Sequence, residues 1–519
     1  MKLNLSTLIA AAAAAAIALP ALALAPNAVP AANKLFVGGS TATNPAVGRL
    51  WLEASGGGCG GSVDVYTTAA DPGGTADARL GAAFAGTDWA ILCVGNGTIG
   101  ANIGYYKESN GGSGNGVGPV VSGNLTFLDI GNGATPPAPC ASGGSMTGTG
   151  LLAATVWFGC TLTTPLHPDA GLSDVNPELL NTDTNVTGQL TASALVTVVF
   201  SPAVSLNLYR AMQRASGLQF NCAIDADANG IPDCDEPANV PSFTPSQLRA
   251  LFTQFTASWG DLRTDANVAL NAVNPPGRDT VFICRRGNTS GTEATFEALL
   301  LNQRCTSGVQ GMALPDVIAT LNGGTAWNAG HINETVFAAN NSGSVASCLA
   351  AHDANNDWAI GVISTETLLT SIGGNGGVGP GAFRYPGINR ANPDLLSVVS
   401  GNYELWTDST WNVKTVPGLA GTKKAISDWL VGNFGTEVPN VDAGLRHVTG
   451  DGGLLSEPFA PNAPPLPPFN VASVRANPTN TASHAPLGAT NNCNPPITFA
   501  VPTELGGEHE EQNTSGETP

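Results

Sequence analysis

Positive charge is scarce in this 519-residue chain: 20 Lys plus Arg stand against 39 Asp plus Glu, a net charge of −19 at pH 7. Such a surface argues against a nucleic-acid binder, whose affinity comes from neutralising phosphates. Histidine is scarcer still. His167, His331, His352, His447, His484 and His509 lack ligand spacing, and each is expected as a surface or capping residue. There is no GxxxxGK[ST] loop, no HExxH, no GxSxG and no CxxC pair. P-loop ATPase, zincin, α/β-hydrolase and thioredoxin-type or CxxC zinc chemistry therefore find no support. No internal repeat stands out, and after the N-terminal run no apolar stretch is long enough to span a bilayer.

What is present points outward from the cell. Lys2, the alanine-rich run Leu8–Leu19 and the small residues Ala21, Ala23, Ala25 and Ala28 read as a secretory signal over about residues 1–25. Export implies an oxidising compartment, periplasmic or extracellular, and the ten cysteines are then expected as disulfides, with Cys222–Cys234 the first pairing to expect. The remaining pairings are left open. The length calls for two or three folding units. The 64 Gly and 37 Pro favour turns and long loops over a helical bundle.

Short β-rich runs alternate with helical stretches, which argues for α/β lobes. Strands are expected at Lys34–Val37, Ser62–Thr67, Trp89–Val94, Leu125–Ile130, Leu195–Phe200, Thr280–Arg285 and Trp358–Ser364. Helices are expected at Val204–Ala215, Pro245–Phe255, Thr292–Leu301 and Thr422–Val431. From about Leu454 the chain turns proline-rich, with Pro458, Pro461, Pro464, Pro465, Pro467 and Pro468, and ends in a polar tail, 501–519, expected to be disordered. Cys493 is expected to tie part of this region to the body.

The segment Thr280 to Leu300 holds the most chemistry. A compact strand, Thr280–Cys284, leads through Arg286 to Ser290 and Glu293, whose S-x-x-E spacing predicts a capping box at a helix start. The free N–H groups of that helix, the hydroxyls of Ser290 and Thr292 and the Arg286 guanidinium form a ready anion site.

Arg286-Gly-Asn-Thr-Ser-Gly-Thr292 resembles the R-x-D-x-S-G-T signature of the periplasmic phosphate-binding proteins of ABC transporters. The resemblance implies that Arg286, Ser290, Gly291 and Thr292 grip the ligand. Asn288 stands where that family has an aspartate that pairs with the arginine, so Arg286 is expected to be held more loosely. Three further segments match in order. Val37-Gly-Gly-Ser-Thr-Ala-Thr-Asn-Pro45 is similar to the first ligand loop, giving Ser40 and Thr41, with Ala42 in place of a phenylalanine. Asn110 to Val117 is similar to the second, giving Ser113 or, in another register, Gly114. Asp169-Ala-Gly-Leu-Ser-Asp-Val-Asn-Pro177 resembles the D-x-G-x-S-D-x-P segment and makes Asp174 the ligand carboxylate. A carboxylate beside an anion is understandable if the anion brings a proton. Phosphate near pH 7 can donate one; sulfate has none, and would leave a buried acceptor unpaired. Scattered similarity continues through Phe243–Leu262 and Trp358–Ile363.

A second motif, Asp225-Ala-Asp-Ala-Asn-Gly-Ile-Pro-Asp-Cys-Asp-Glu236, fits D-x-D-x-N-G-x5-E. Asp225, Asp227, Asn229, Asp233 and Glu236 offer side-chain oxygens and Ile231 a carbonyl, a hard donor set that suits a structural Ca²⁺. Pro232 and Pro237 argue for an isolated EF-hand-like loop without flanking helices.

The sequence thus leads to an α/β, two-lobed type 2 periplasmic binding protein fold. Lobe one is expected to combine 34–199 with 364–500, and lobe two to be 200–363 with the calcium loop 225–236 inserted. The expected activity is capture of phosphate or a related oxyanion, without catalysis, for hand-over to an ABC transporter permease. The alternatives are a phosphoesterase using the same cradle and a calcium-ordered surface or adhesion protein.

Overall fold

The computed structural model describes residues 24–434 except 55, 86–87, 132–139, 181–183, 223–225, 227–232, 264–266, 302–323, 366–382, 394–396 and 399–400, and beyond them 454–456, 482–483 and 497–498. Most of the signal segment, Cys305, the prolines from 458 to 468, Cys493 and the tail 501–519 lie outside the described residues.

The fold is mixed α/β, built on one large mixed sheet. Its twelve-strand path uses β1 Lys34–Gly39, β2 Cys59–Thr67, β3 Asp88–Gly95, β4 Asn102–Glu108, β5 Ser142–Met146, β6 Ala154–Phe158, β7 Ala170–Ser173, β8 Leu190–Ser205, β9 Phe282–Arg286, β10 Val336–Ala339, β11 Ala359–Ser364 and β12 Trp406–Lys414. The order is β10-β9-β11-β8-β12-β7-β1-β4-β3-β2-β6-β5. The helices that matter below are α1 Asn44–Leu52, α2 Ala76–Ala85, α3 Leu206–Ala215, α4 Pro245–Phe252, α5 Gly291–Leu299, α6 Ser342–Ala354 and α7 Gly421–Phe434.

The strand β8 joins the two halves. Leu190–Val199 pairs antiparallel with β12, and Phe200–Val204 pairs antiparallel with β11. On one side of it lies a first lobe around β1, β4 and β7; on the other lies a second lobe around β9, β10 and β11. After Ser364 the chain does not return at once. Phe383–Arg384 pairs with Val204–Ser205, Gly387–Ile388 pairs with Ser242–Phe243, and Tyr385 joins a core cluster of the second lobe. A return directly after Ser364 is therefore corrected for residues 383–388, because their backbone groups find partners on the second lobe.

Local chemistry explains the elements. In β1, Leu35 and Val37 enter the main core while Phe36 packs on the opposite sheet face, the two-residue alternation of a strand covered on both sides. The helix α4 starts at Thr244 with a reciprocal capping box to Gln247 and Pro245 in its first turn. Its apolar Leu248, Leu251 and Phe252 face the core. Four disulfides staple the described chain: Cys59–Cys93, Cys140–Cys160, Cys222–Cys234 and Cys284–Cys348. The expectation that histidines lie at the surface fails for His352. It is 1 % exposed, stacked 4.3 Å from the Phe282 ring, and burial lowers its pKa to about 4. Among the described residues no helix is long and apolar enough to cross a membrane.

Candidate functional site

Parallel strands end together at the junction of the two lobes, the usual place for loops that hold a ligand in open α/β sheets. In the first lobe β1 and β7 run side by side, and Ser40 N donates to Leu172 O at 2.9 Å. Gly39 has φ +110°, and a Cβ there would lie 1.9 Å from Leu172 O, so only glycine lets the chain leave β1 in this direction. The loop then enters α1 at Asn44. Ser40 donates its hydroxyl to Asp174 Oδ1 and accepts from Ala42 N at 3.2 Å. Thr41 is half-exposed beside it, with its carbonyl accepting from Asn44 N.

The second loop is a 3₁₀ turn, Gly112–Gly116. Ser113 Oγ donates to Asp174 Oδ2 at 2.9 Å and accepts from Asp174 N at 3.0 Å. Both oxygens of Asp174 are thus engaged by serine hydroxyls, one from each loop. The residue is 5 % exposed, and burial pushes its pKa up, opposed first by these hydroxyls and then by the charges of Arg286 and Lys107.

The second lobe brings the other half. Arg286 closes β9, and its guanidinium donates to Ser342 Oγ at 3.1 Å and Asn340 O at 3.2 Å. A Cβ on Gly112 would lie 3.3 Å from Arg286 Nη2, so the guanidinium faces the second loop. Ser290 is the N-cap of α5, and its hydroxyl is buried without a hydrogen-bond partner. Gly291 opens the helix so close to the first lobe that a Cβ would meet Ser113 Oγ at 2.4 Å and Asp174 Oδ2 at 2.9 Å. Thr292 is buried one residue further on. The lobes also touch through Gly114 N donating to Thr289 O at 2.8 Å, through Thr295 and Thr407 hydroxyls 3.2 Å apart, and through an apolar contact of Val175 and Leu179 with Ala294 and Ala298.

Ser40, Ser113, Gly114, Asp174, Arg286, Ser290 and Gly291 therefore come together, with Thr292 next to them and Thr41 at the rim. Two details of the sequence reading change. Ser290 begins the helix, but there is no capping box: Glu293 instead binds Arg285 at 2.9 Å and accepts from Arg286 N. Asn288 accepts from Arg285 Nη2 at 2.8 Å, while Arg286 is fixed by Ser342 and Asn340. The reason is strand alternation. Adjacent arginines on β9 point to opposite faces, and the helix-side carboxylates lie on the Arg285 face.

Sequence reasoning missed Lys107. Its buried Nζ donates to Gly39 O at 2.8 Å, Glu108 O at 2.7 Å and Ser109 Oγ at 2.6 Å, bracing the first loop from behind. Burial lowers its pKa to about 7, against the charges of Glu108, Asp88 and Asp174. A lone lysine inside the run Ile103-Gly-Tyr-Tyr-Lys-Glu was the available signal, since a charge in a strand covered on both faces needs partners.

At the calcium motif only Asp233 and Glu236 among the expected ligands are described; Asp225, Asp227, Asn229 and Ile231 lie outside the described residues. Asp233 Oδ1 accepts from Ala226 N at 2.8 Å, and Cys234 O accepts from Gln213 Nε2 at 2.6 Å and Arg210 Nη1 at 3.1 Å, docking the disulfide-closed loop on α3.

No family model matches the chain, and no curated protein matches it either. Solved structures that it is similar to include a putative phosphate ABC transporter substrate-binding protein with bound phosphate from Clostridium perfringens, at 12 % identity and TM-score 0.33, covering 56 % of this chain and 79 % of that one. A PstS protein from Borrelia burgdorferi gives 11 % identity, TM-score 0.27 and the same coverage. An ABC-type phosphate transport receptor from Vibrio cholerae gives 16 % identity and TM-score 0.26, over 51 % of this chain and 74 % of that one. With TM-scores this low, these likenesses add no weight to the geometry above.

Proposed function

We propose that the chain is a secreted two-lobed binding protein that closes on a small oxyanion, with inorganic phosphate the favoured ligand. One observation carries the reading: Ser40, Ser113 and Asp174 of one lobe meet Arg286, Ser290 and Gly291 of the other at a single buried point. Arg286 supplies fixed charge, and the start of α5 supplies backbone N–H groups and the unpartnered Ser290 hydroxyl. Asp174 supplies the acceptor for a ligand proton. Its raised pKa fits a group that shares a proton with the anion rather than repelling it. Because the donors are split between lobes, ligand favours the closed state, in which both sets of bonds are made. The net charge of −19 slows anion arrival without cancelling the local site.

The closed form would be presented to a membrane transporter of the ABC type. The four disulfides fit an oxidising compartment. The 225–236 loop would take a structural Ca²⁺, and chelation by EDTA should then lower the melting temperature. The deciding experiment is calorimetry with phosphate and sulfate at fixed ionic strength. Heat with phosphate and little with sulfate is expected; no heat at millimolar phosphate overturns the reading.

A further inference from the structure

We propose that the chain is cut between Ala23 and Leu24, and that the α-ammonium group so created at Leu24 is the ion partner of the buried Asp64. The secretory pattern leaves several small residues as candidates, but the fold distinguishes them. Ala21 and Ala23 occupy the third and first positions before this bond, the small-residue spacing of a cleavage site. A cut after Ala25 would instead leave Pro26 as the first residue and discard Leu24.

The nitrogen of Leu24 lies 2.5 Å from Asp64 Oδ2. Asp64 sits within β2, fully buried, on the same sheet face as Tyr66. Among the described residues the other donor to its carboxylate is the Trp157 indole N–H, at 3.4 Å from Oδ1. One amide and one long indole contact are thin support for a carboxylate removed from water, which is costly to bury without a counter-charge. With the amide as donor, burial raises the Asp64 pKa to about 6. A cation at the same place would favour the carboxylate form.

The surrounding segment is docked so as to hold the new terminus there. Leu24 packs against the apolar cluster that contains Val29, Tyr66 and Leu92. Asn102 Nδ2 donates to Ala28 O at 3.2 Å, and Asn33 Nδ2 donates to Asn102 O at 3.0 Å. In the cut itself, water adds across the Ala23–Leu24 peptide bond under a membrane-bound signal peptidase. The hydroxyl goes to the Ala23 carbonyl carbon, which leaves as a carboxylate, and both water protons end on Leu24 nitrogen as –NH₃⁺.

The test uses the full chain, exported from a host with an active signal peptidase. N-terminal sequencing and intact mass should give a first residue of Leu24; a start at Pro26, Asn27 or anywhere else overturns the proposal. A second form carries one glycine inserted between Ala23 and Leu24, which moves the ammonium by about 3.5 Å. It should melt about 2 °C or more lower, and an unchanged melt overturns the ion pair. In an Asp64→Asn background the same insertion should leave the melt unchanged. A drop of the original size there would mean that packing, not charge, holds the terminus, and would equally overturn it.

Discussion

Arg285 and Arg286 are neighbours in sequence and occupy opposite environments. Arg285 is 1 % exposed and closed in by carboxylates of its own lobe, Glu293 at 2.9 Å and Glu297 at 3.5 Å, with Asn288 completing its fork. Arg286 is held by Ser342 Oγ and Asn340 O, and its field reaches Asp174 on the other lobe. The difference separates a charge used to build the second lobe from a charge aimed across the cleft. Opposite carboxylates neutralise the first within one lobe. The second is held by a serine hydroxyl and a backbone carbonyl of its own lobe, and its charge acts on a carboxylate of the other.

That contrast can be broken most directly at Arg285. Arg285→Ala leaves two buried carboxylates without their cation and should cost about 3–5 kcal/mol of stability, read from denaturant melts. A loss under 1 kcal/mol would mean that Arg285 is not structural in the sense argued here. The same strand backs onto His352, which gives a pH test of the second-lobe interior. Its folded pKa, about 4, lies below the ordinary 6.5, so its contribution is complete above pH 6.5 and is lost as pH falls toward 4. The size is about 3 kcal/mol over that window, and it should vanish in His352→Phe. Persistence of the full slope in that variant would assign it to other groups.

Arg286→Ala should weaken phosphate binding by about 100-fold, roughly 2.7 kcal/mol, and cost less stability than Arg285→Ala. Loss of fold with retained affinity would invert the comparison. The smallest effect is expected at Asp174→Asn, which keeps the shape but can donate as well as accept. Phosphate-over-sulfate preference should fall by about tenfold in competition calorimetry. An unaltered ratio would remove the proton-acceptor role of Asp174.

The strands were readable because Val, Ile and aromatic runs are bounded by Gly, Asn and Asp, and the expected Lys34–Val37 and Trp358–Ser364 differ from β1 and β11 by one or two residues. The Arg286–Thr292 segment was legible as a strand, a guanidinium and a helix start, whereas Ser40, Ser113 and Asp174 were singled out by the resemblance of their loops to those of periplasmic phosphate-binding proteins. The Glu293 partner was not. A capping box and an ion pair with Arg285 use the same residue, and only the facing of β9 against α5 chooses between them. Lys107 was missed for a related reason: its three acceptors come partly from Gly39, 68 positions away in sequence.

By itself the sequence determined the alternation of elements and the Cys222–Cys234 closure, because these follow from local propensity and short spacing. The tertiary structure alone decided that four separated turns converge, that adjacent arginines divide their roles, and that Leu24 N meets Asp64. Except for the short-range Arg285–Glu293 pair, those contacts join residues 40 to 134 positions apart. Such meetings are set by sheet order and strand facing, which no local pattern encodes.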